Sequence, residues 1–368
     1  MPSETIQSNA SLGSSRSPSA TGLIIRQWEP ANLEFPFASL DAFITPTEQF
    51  YVRSHFPTPS IDAKAWRLKV EGLVQKPAIL SLAQLMRMPA HSQLATLECA
   101  GNGRIFLHPK VNGAQWELGA VSNALWTGVR LADVLREAGV SPTAVDVILE
   151  GADTGQPDEK PKPPGDIHYA RAIPFTKADD VLLAYQMNGE PLPLSHGAPL
   201  RAIVPGWYGM ASVKWLRRII VTDQPFQGYF QTVDYAYWAD HAGIPTRVPI
   251  SRMRVKSQIA RPGWHEIVPA GRPYRIAGAA WTGDSDVTRV EVSTDAGMTF
   301  ANATLLGDAI RHAWRLWEYN WQAPSHPGQV ILTSRATDAH GDVQPARHNP
   351  NFVNYIIDHT LPVEVIVR

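Results

Sequence analysis

An α+β domain followed by a β-sandwich is the fold class this sequence predicts. Between about residues 43 and 245, strand-like and helical stretches are mixed. After about residue 247 helical periodicity disappears, and short strand-like runs are separated by turn residues, as in a sandwich of two sheets. Residues 243–263, rich in Pro and Arg, lie where the texture changes and read as the domain boundary. A chain of 368 residues is also long for one core, which favours two domains.

The elements follow in order. Residues 1–22 are Ser-rich and polar and read as a disordered tail. They hold no apolar h-region and no adjacent arginine pair, so they do not read as an export signal, and a cytoplasmic protein is expected. The first domain is assigned to residues 23–247 and the second to 248–368. Residues 66–71 (WRLKVE) alternate as a strand. Residues 81–88 (SLAQLMRM) have helical spacing behind a serine cap. Residues 94–99 (LATLEC) form a short apolar run ending in the turn Ala100-Gly101-Asn102-Gly103. Residues 128–138 form an amphipathic helix stopped by Gly139, and 145–150 a buried strand. Residues 156–165 (QPDEKPKPPG) are a surface loop, and 201–205 and 213–222 read as strands. In the second domain, strands are expected at 274–280, 288–293, 300–305, 314–321 and 330–337.

Composition narrows the function. A net charge of −1 gives no support to binding of nucleic acid or of a charged membrane surface. No run of eighteen apolar residues occurs, so no membrane-spanning helix is expected. Twelve tryptophans suit large, well-packed β structure. The single cysteine, Cys99, excludes an intrachain disulfide. It could be core filler, a nucleophile or a metal ligand. Small residues follow it, so a bulky group can approach the sulfur, and Arg104 five positions on favours the thiolate. One thiolate cannot hold zinc or an iron–sulfur cluster, which need several side-chain ligands. If Cys99 is a ligand, a cofactor must bring most of the metal's other ligands.

Cys99-Ala100-Gly101-Asn102-Gly103-Arg104 resembles the molybdenum-ligating turn of the sulfite oxidase family, and the likeness extends from about residue 40 to the end. It implies a molybdenum-pterin cofactor held by Cys99, the dithiolene sulfurs and oxo groups completing the metal's shell. Tyr51-Val52-Arg53-Ser54-His55 resembles the family's FVRNH-type cofactor stretch, departing at Tyr51 and Ser54. It implies Arg53 at an oxyanion beside the metal and His55 at the pterin. His196-Gly197-Ala198-Pro199-Leu200-Arg201 is similar to the family's HGxPxR stretch, and Ser212-Val213-Lys214 to another cofactor segment. These imply that His196, Arg201, Ser212, Val213 and Lys214 hold the pterin and its phosphate, with Asp153 near the pterin.

On the substrate side the likeness implies Arg53, Arg104, Trp116, Asp234 and Tyr235. It further implies an arginine lent by the second domain, for which Arg311 is the candidate. Each has a plainer reading: Trp116 as ordinary core, Asp153 as a turn residue, Tyr235 as packing in a Tyr-rich stretch. The stretches 292–297 and 335–338 resemble hallmarks of the family's immunoglobulin-like dimerisation domain, which implies a homodimer. The implied reaction is oxidation of sulfite to sulfate by oxo transfer. Rival readings are nitrate or sulfoxide reduction or sulfane sulfur oxidation on the same scaffold, or a non-enzymatic binding protein. No Cys-x-x-Cys-His occurs, so no haem is expected in this chain, and the electron acceptor would be a cytochrome, a small molecule or oxygen.

Overall fold

The computed structural model describes residues 22–158 and 160–368, so all of the expected tail but Gly22 lies outside the described residues. Strands dominate. Among the described residues there are only three α-helices, Leu82–Leu85, Leu131–Ala138 and Tyr229–Thr232. The α+β expectation therefore gives way to a mostly β architecture, for local reasons. The helix expected at 81–88 does form its capping box, Ser81 with Gln84, but Pro89 disfavours helical backbone at Met88 and only one turn survives. The helix expected at 128–138 begins at Leu131, because 128–130 end the strand Val121–Arg130. Its buried residues Leu131, Val134, Leu135 and Ala138 share one face, and Gly139 ends it in the left-handed conformation.

Two sheets build the first half. One carries Ala78–Leu80, Leu68–Gly72, Leu216–Thr222, Asp146–Gly155 and Ile167–Pro174 in that order. The other runs Glu190–Pro191, Leu182–Met187, Val121–Arg130 and His91–Glu98, with Arg201–Ile203 paired to Leu182–Met187. The long pairing of His91–Glu98 with Val121–Arg130, ending at Glu98 opposite Val121, fixes the residue that follows: Cys99. A small ribbon of Ile24–Gln27, Asn32–Glu34 and Val52–Arg53 lies apart from both sheets.

In the second half, Lys256–Arg261, Pro273–Trp281, Arg315–Gln322 and Thr304–Leu305 form one sheet. Ile267–Val268, Val363–Val367, Gly328–Asp338, Val287–Ser293 and Ala301–Asn302 form another. Residues of both sheets, among them Ile276, Trp317, Val290 and Leu332, share one apolar core. The strand expected at 300–305 is broken at Ala303, and its two halves join different sheets. The stretch 243–263 is no plain linker. It holds half of the hairpin Ala236–His241/Ile244–Pro249 and the strand Lys256–Arg261. That strand buries Lys256, Ser257 and Gln258, and their polarity hid it from a hydrophobic pattern. The two halves also interlock. Trp281 and Trp314 join the core of the first half, and Trp314 N donates to Thr96 Oγ1 at 2.7 Å, on the strand leading to Cys99. No helix of the described residues is long and apolar enough to cross a membrane.

Candidate active site

Cys99 stands buried where the strand His91–Glu98 ends. Its backbone N donates to Ala120 O at 2.8 Å, and Asn102 N donates to Cys99 O at 2.8 Å, closing the turn. Asn102 binds both sides of it: Nδ2 donates to Glu98 Oε1 at 3.2 Å, and Oδ1 accepts from Ala120 N at 3.1 Å. Glu98 is itself 1% exposed and is paid for by the second half of the chain, with Lys256 Nζ at 2.8 Å from Oε1 and Trp281 Nε1 at 2.9 Å from Oε2. A buried carboxylate with an ion partner and further hydrogen bonds is stable; stripped of one partner it is costly. The turn carrying the sulfur is thus clamped from outside its own domain.

On one side of Cys99 lies a cleft of about 650 Å³, partly open to solvent. It is lined by Tyr51-Val52-Arg53-Ser54-His55, Asp153, His196, Arg201, Ser212, Val213 and Lys214, which the sequence scatters over 160 positions. Its charged groups are mostly cationic and tied to the backbone. Arg201 donates from Nη1 to His196 O and from Nη2 to Ser212 O, both at 3.0 Å, and packs over Trp126. Lys214 Nζ donates to Ser54 Oγ at 2.7 Å and Ser195 O at 3.1 Å. Burial, then the neighbouring Arg201, brings Lys214 down to about 7. Burial lifts Asp153 to about 6, against the pull of Lys214. Burial also holds His196 down at about 3, so it is neutral and its Nε2 lies 3.1 Å from Thr47 O. The strand expected from 213 begins instead at Leu216. Ser212-Val213-Lys214 lie in a turn, ended by Trp215 at φ +51°, and so do not alternate as a strand.

On the other side lies a wider, open cleft of about 2330 Å³. Arg53, His55, Cys99 and Tyr235 line both clefts, which places the sulfur at their junction. Tyr235 Oη lies 2.7 Å from His55 Nε2. Burial, reinforced by Arg53, drives His55 well below its ordinary pKa, and burial drives Tyr235 up. The pair is therefore a protonated phenol beside a neutral imidazole. Burial works against the charge of Arg53, but its pKa is raised, and the carboxylate Asp234 is among the groups that favour the charge. Arg104 and Asp234 line only this outer cleft.

Two expected residues sit elsewhere. Trp116 lines neither cleft; it is fully buried in the apolar cluster under Cys99, because Ile105 N bonds its carbonyl and draws the 113–116 loop inward. Arg311 is exposed, bonds the ring of its neighbour His312, and lines neither cleft; the Asp180–Lys177–Asp284 cluster is nearby. What the second half contributes to the outer cleft is Tyr355. Sequence reasoning missed it, as it missed Lys256. Neither carried a signal: Lys256 opens the polar run Lys256-Ser257-Gln258, and Tyr355 has no patterned neighbours.

Comparisons with known proteins agree with this geometry. Residues 55–230 match the oxidoreductase molybdopterin binding domain, and 247–358 the Mo-co oxidoreductase dimerisation domain. The chain is 37% identical over 350 residues to sulfite oxidase of Gallus gallus, across 89% of this chain and 74% of that one. The chain belongs to the sulfite oxidase family. It is 36% identical to the mitochondrial sulfite oxidase of Mus musculus, spanning 61% of that protein's length. It is 32% identical to an NADPH nitrate reductase of Aspergillus niger, covering 86% of this chain and 41% of that one. Among solved structures, the sulfane dehydrogenase SoxCD of Paracoccus pantotrophus matches with a TM-score of 0.78 at 29% identity, over 91% of this chain and 84% of that one.

The inner cleft fits the family's molybdenum-pterin group. Its cations outnumber its one carboxylate, as a phosphate-bearing ligand requires. Arg201 Nε is buried without a partner among the described residues. At Gly197, φ +109°, a Cβ would lie 3.0 Å from the backbone of Lys214, so only glycine lets these two segments close the cradle.

Proposed function

We propose that this chain oxidises sulfite to sulfate and hands the electrons to an external acceptor. Sulfite and water give sulfate, two electrons and two protons. The observation that supports the reading is the position of Cys99, between a cationic cradle for the cofactor and an outer cleft holding Arg53 and Arg104. The bound molybdenum-pterin group would supply the oxo transfer and take up the electron pair. His196, Arg201 and Lys214 would anchor it and Cys99 would ligate the metal. Arg53 and Arg104 would bind and orient the anion, since a guanidinium matches an oxyanion through paired N–H groups. Tyr235 would keep its proton on Oη and offer it as a hydrogen bond, with His55 as the neutral neighbour that fixes the phenol. The two-sheet second half, matched as a dimerisation domain, supports an immunoglobulin-like sandwich that pairs two copies.

The test is sulfite-dependent reduction of an artificial acceptor by molybdenum-loaded protein, with Cys99→Ser beside it. Turnover in the wild type and none in the variant is expected. A molybdenum-loaded wild type that ignores sulfite would sink the reading. One observation favours a second reading, sulfane sulfur oxidation: the likeness to SoxCD. A panel of sulfite, thiosulfate, persulfides and nitrate separates the two.

A further inference from the structure

We propose that Tyr355, delivered by the second half of the chain, is a positioning residue that keeps Asp234 from neutralising Arg104 and so preserves a free cation for the substrate anion. The inference rests on the reading above, that the outer cleft receives a sulfur oxyanion.

Arg104 is 3% exposed, a depth at which an arginine normally has an acidic partner. It has none: among the described residues, neither Arg104 nor Arg53 nor Asp234 takes part in an ion pair within 4.0 Å. Arg104 is satisfied by carbonyls instead. Nε donates to Asn354 O at 3.0 Å and Nη1 to Ala114 O at 2.8 Å. The two carbonyls orient the guanidinium and leave its charge intact, with N–H groups to spare for an anion. Glycines at 101 and 113 make the room, since a Cβ at either would come within 2.2 Å and 2.6 Å of the guanidinium.

The nearby carboxylate that could cancel this charge is Asp234, which lines the same cleft and feels both arginines. Tyr355 occupies both groups at once. Its Oη donates to Asp234 Oδ1 at 2.6 Å, and the Arg104 guanidinium stands over its ring, 5.1 Å from the centroid. The ring is also packed 4.8 Å from that of Tyr235, which leaves it little freedom. The phenol thus separates acid from base with one face and one hydroxyl. Residues 354 and 355 act together, one through its carbonyl and one through its ring, so the second half of the chain sets the charge state of the substrate wall.

The experiment uses molybdenum-loaded enzyme: wild type, Tyr355→Phe, and Tyr355→Phe with Asp234→Asn. The readouts are the Kd for sulfate by calorimetry, and KM and kcat for sulfite. Phe keeps the ring and the fold but frees Asp234 to swing onto Arg104. We expect sulfate Kd and sulfite KM to rise about tenfold, the equivalent of one charged hydrogen bond, with kcat within about threefold of wild type. The added Asn, which carries no charge, should return the Kd to near the wild-type value. A filler role for Tyr355 would not produce that rescue. Wild-type affinity in the Phe variant, or no recovery with Asn, overturns the inference and leaves the sulfite reading standing. A wild type that neither binds sulfate nor turns over sulfite overturns both.

Discussion

The two clefts that meet at Cys99 are built in opposite ways. In the inner one Arg201 and Lys214 are pinned by nearby carbonyls and a serine, with Arg201 Nε left unpartnered among the described residues, and all the lining residues come from the first half of the chain. In the outer one, Arg104 and Asp234 come from distant segments, and the second half contributes Tyr355. A pinned, one-domain cradle suits a large resident group that stays. A wall assembled from both halves, with its charge left free, suits a small anion that must arrive and leave.

The largest effect should come from breaking the clamp that serves both clefts. Lys256→Met leaves the buried Glu98 without its ion partner, and should cost about 3–5 kcal/mol of unfolding free energy in urea. Replacing both partners, Lys256→Met with Glu98→Gln, should cost less than the single change. A double-variant loss equal to the sum of the two single losses would show that the pair is not coupled. Next, the clefts should separate by phenotype. Arg53→Met should retain molybdenum yet lose about 2–4 kcal/mol of transition-state stabilisation, seen as a fall of about 30- to 900-fold in kcat/KM. Lys214→Ala should instead lower molybdenum content, measured by elemental analysis of purified protein, with wild-type secondary structure. Normal metal content in Lys214→Ala would erase the distinction between the clefts.

The smallest effect concerns the loop that carries Tyr355. Asp358 on that loop is buried, with Oδ1 unpartnered and Arg254 3.7 Å from Oδ2. Burial lifts its pKa from 3.8 to about 6. A folded-state pKa above the unfolded one means that the folded state holds its proton more tightly, so stability falls as pH rises through about 4 to 6. Asp358→Asn should therefore stabilise the protein at pH 8, by about 1–2 kcal/mol after allowing for the lost attraction to Arg254, and change little at pH 4. Melting curves at the two pH values check this, and a shift of the same size at both would contradict it.

The legibility of the molecule follows the same division. The residues of the inner cleft sit in short runs, 51–55, 196–201 and 212–214, where adjacent residues serve one ligand, and such runs can be read in one dimension. The outer cleft is a meeting of single residues. Tyr355 has no patterned neighbours, and its role exists only because the second half packs beside residue 104. Arg311 lines neither cleft of its own chain, and charge near an aromatic run says nothing of which way the run faces. Trp116 shows that a tryptophan close in sequence to a reactive turn can serve as its floor. The fold was legible where apolar alternation was clean, as at Pro273–Trp281, and illegible where polar side chains were buried by partners from afar, as in Lys256–Arg261. Helix was overestimated because amphipathic runs such as 81–88 met proline before a second turn could form.

The clamp on Glu98 also has a consequence in time. Lys256 lies 158 residues beyond Glu98, and Trp281 lies further still. At about 5–20 residues per second, a ribosome delivers the Cys99 turn roughly 8–30 s before Lys256, which helps to hold it. Throughout that interval the sulfur is tethered to an unfinished frame. The position of the sulfur is therefore fixed late, and a chain cut before Lys256 would leave Glu98 without its ion partner.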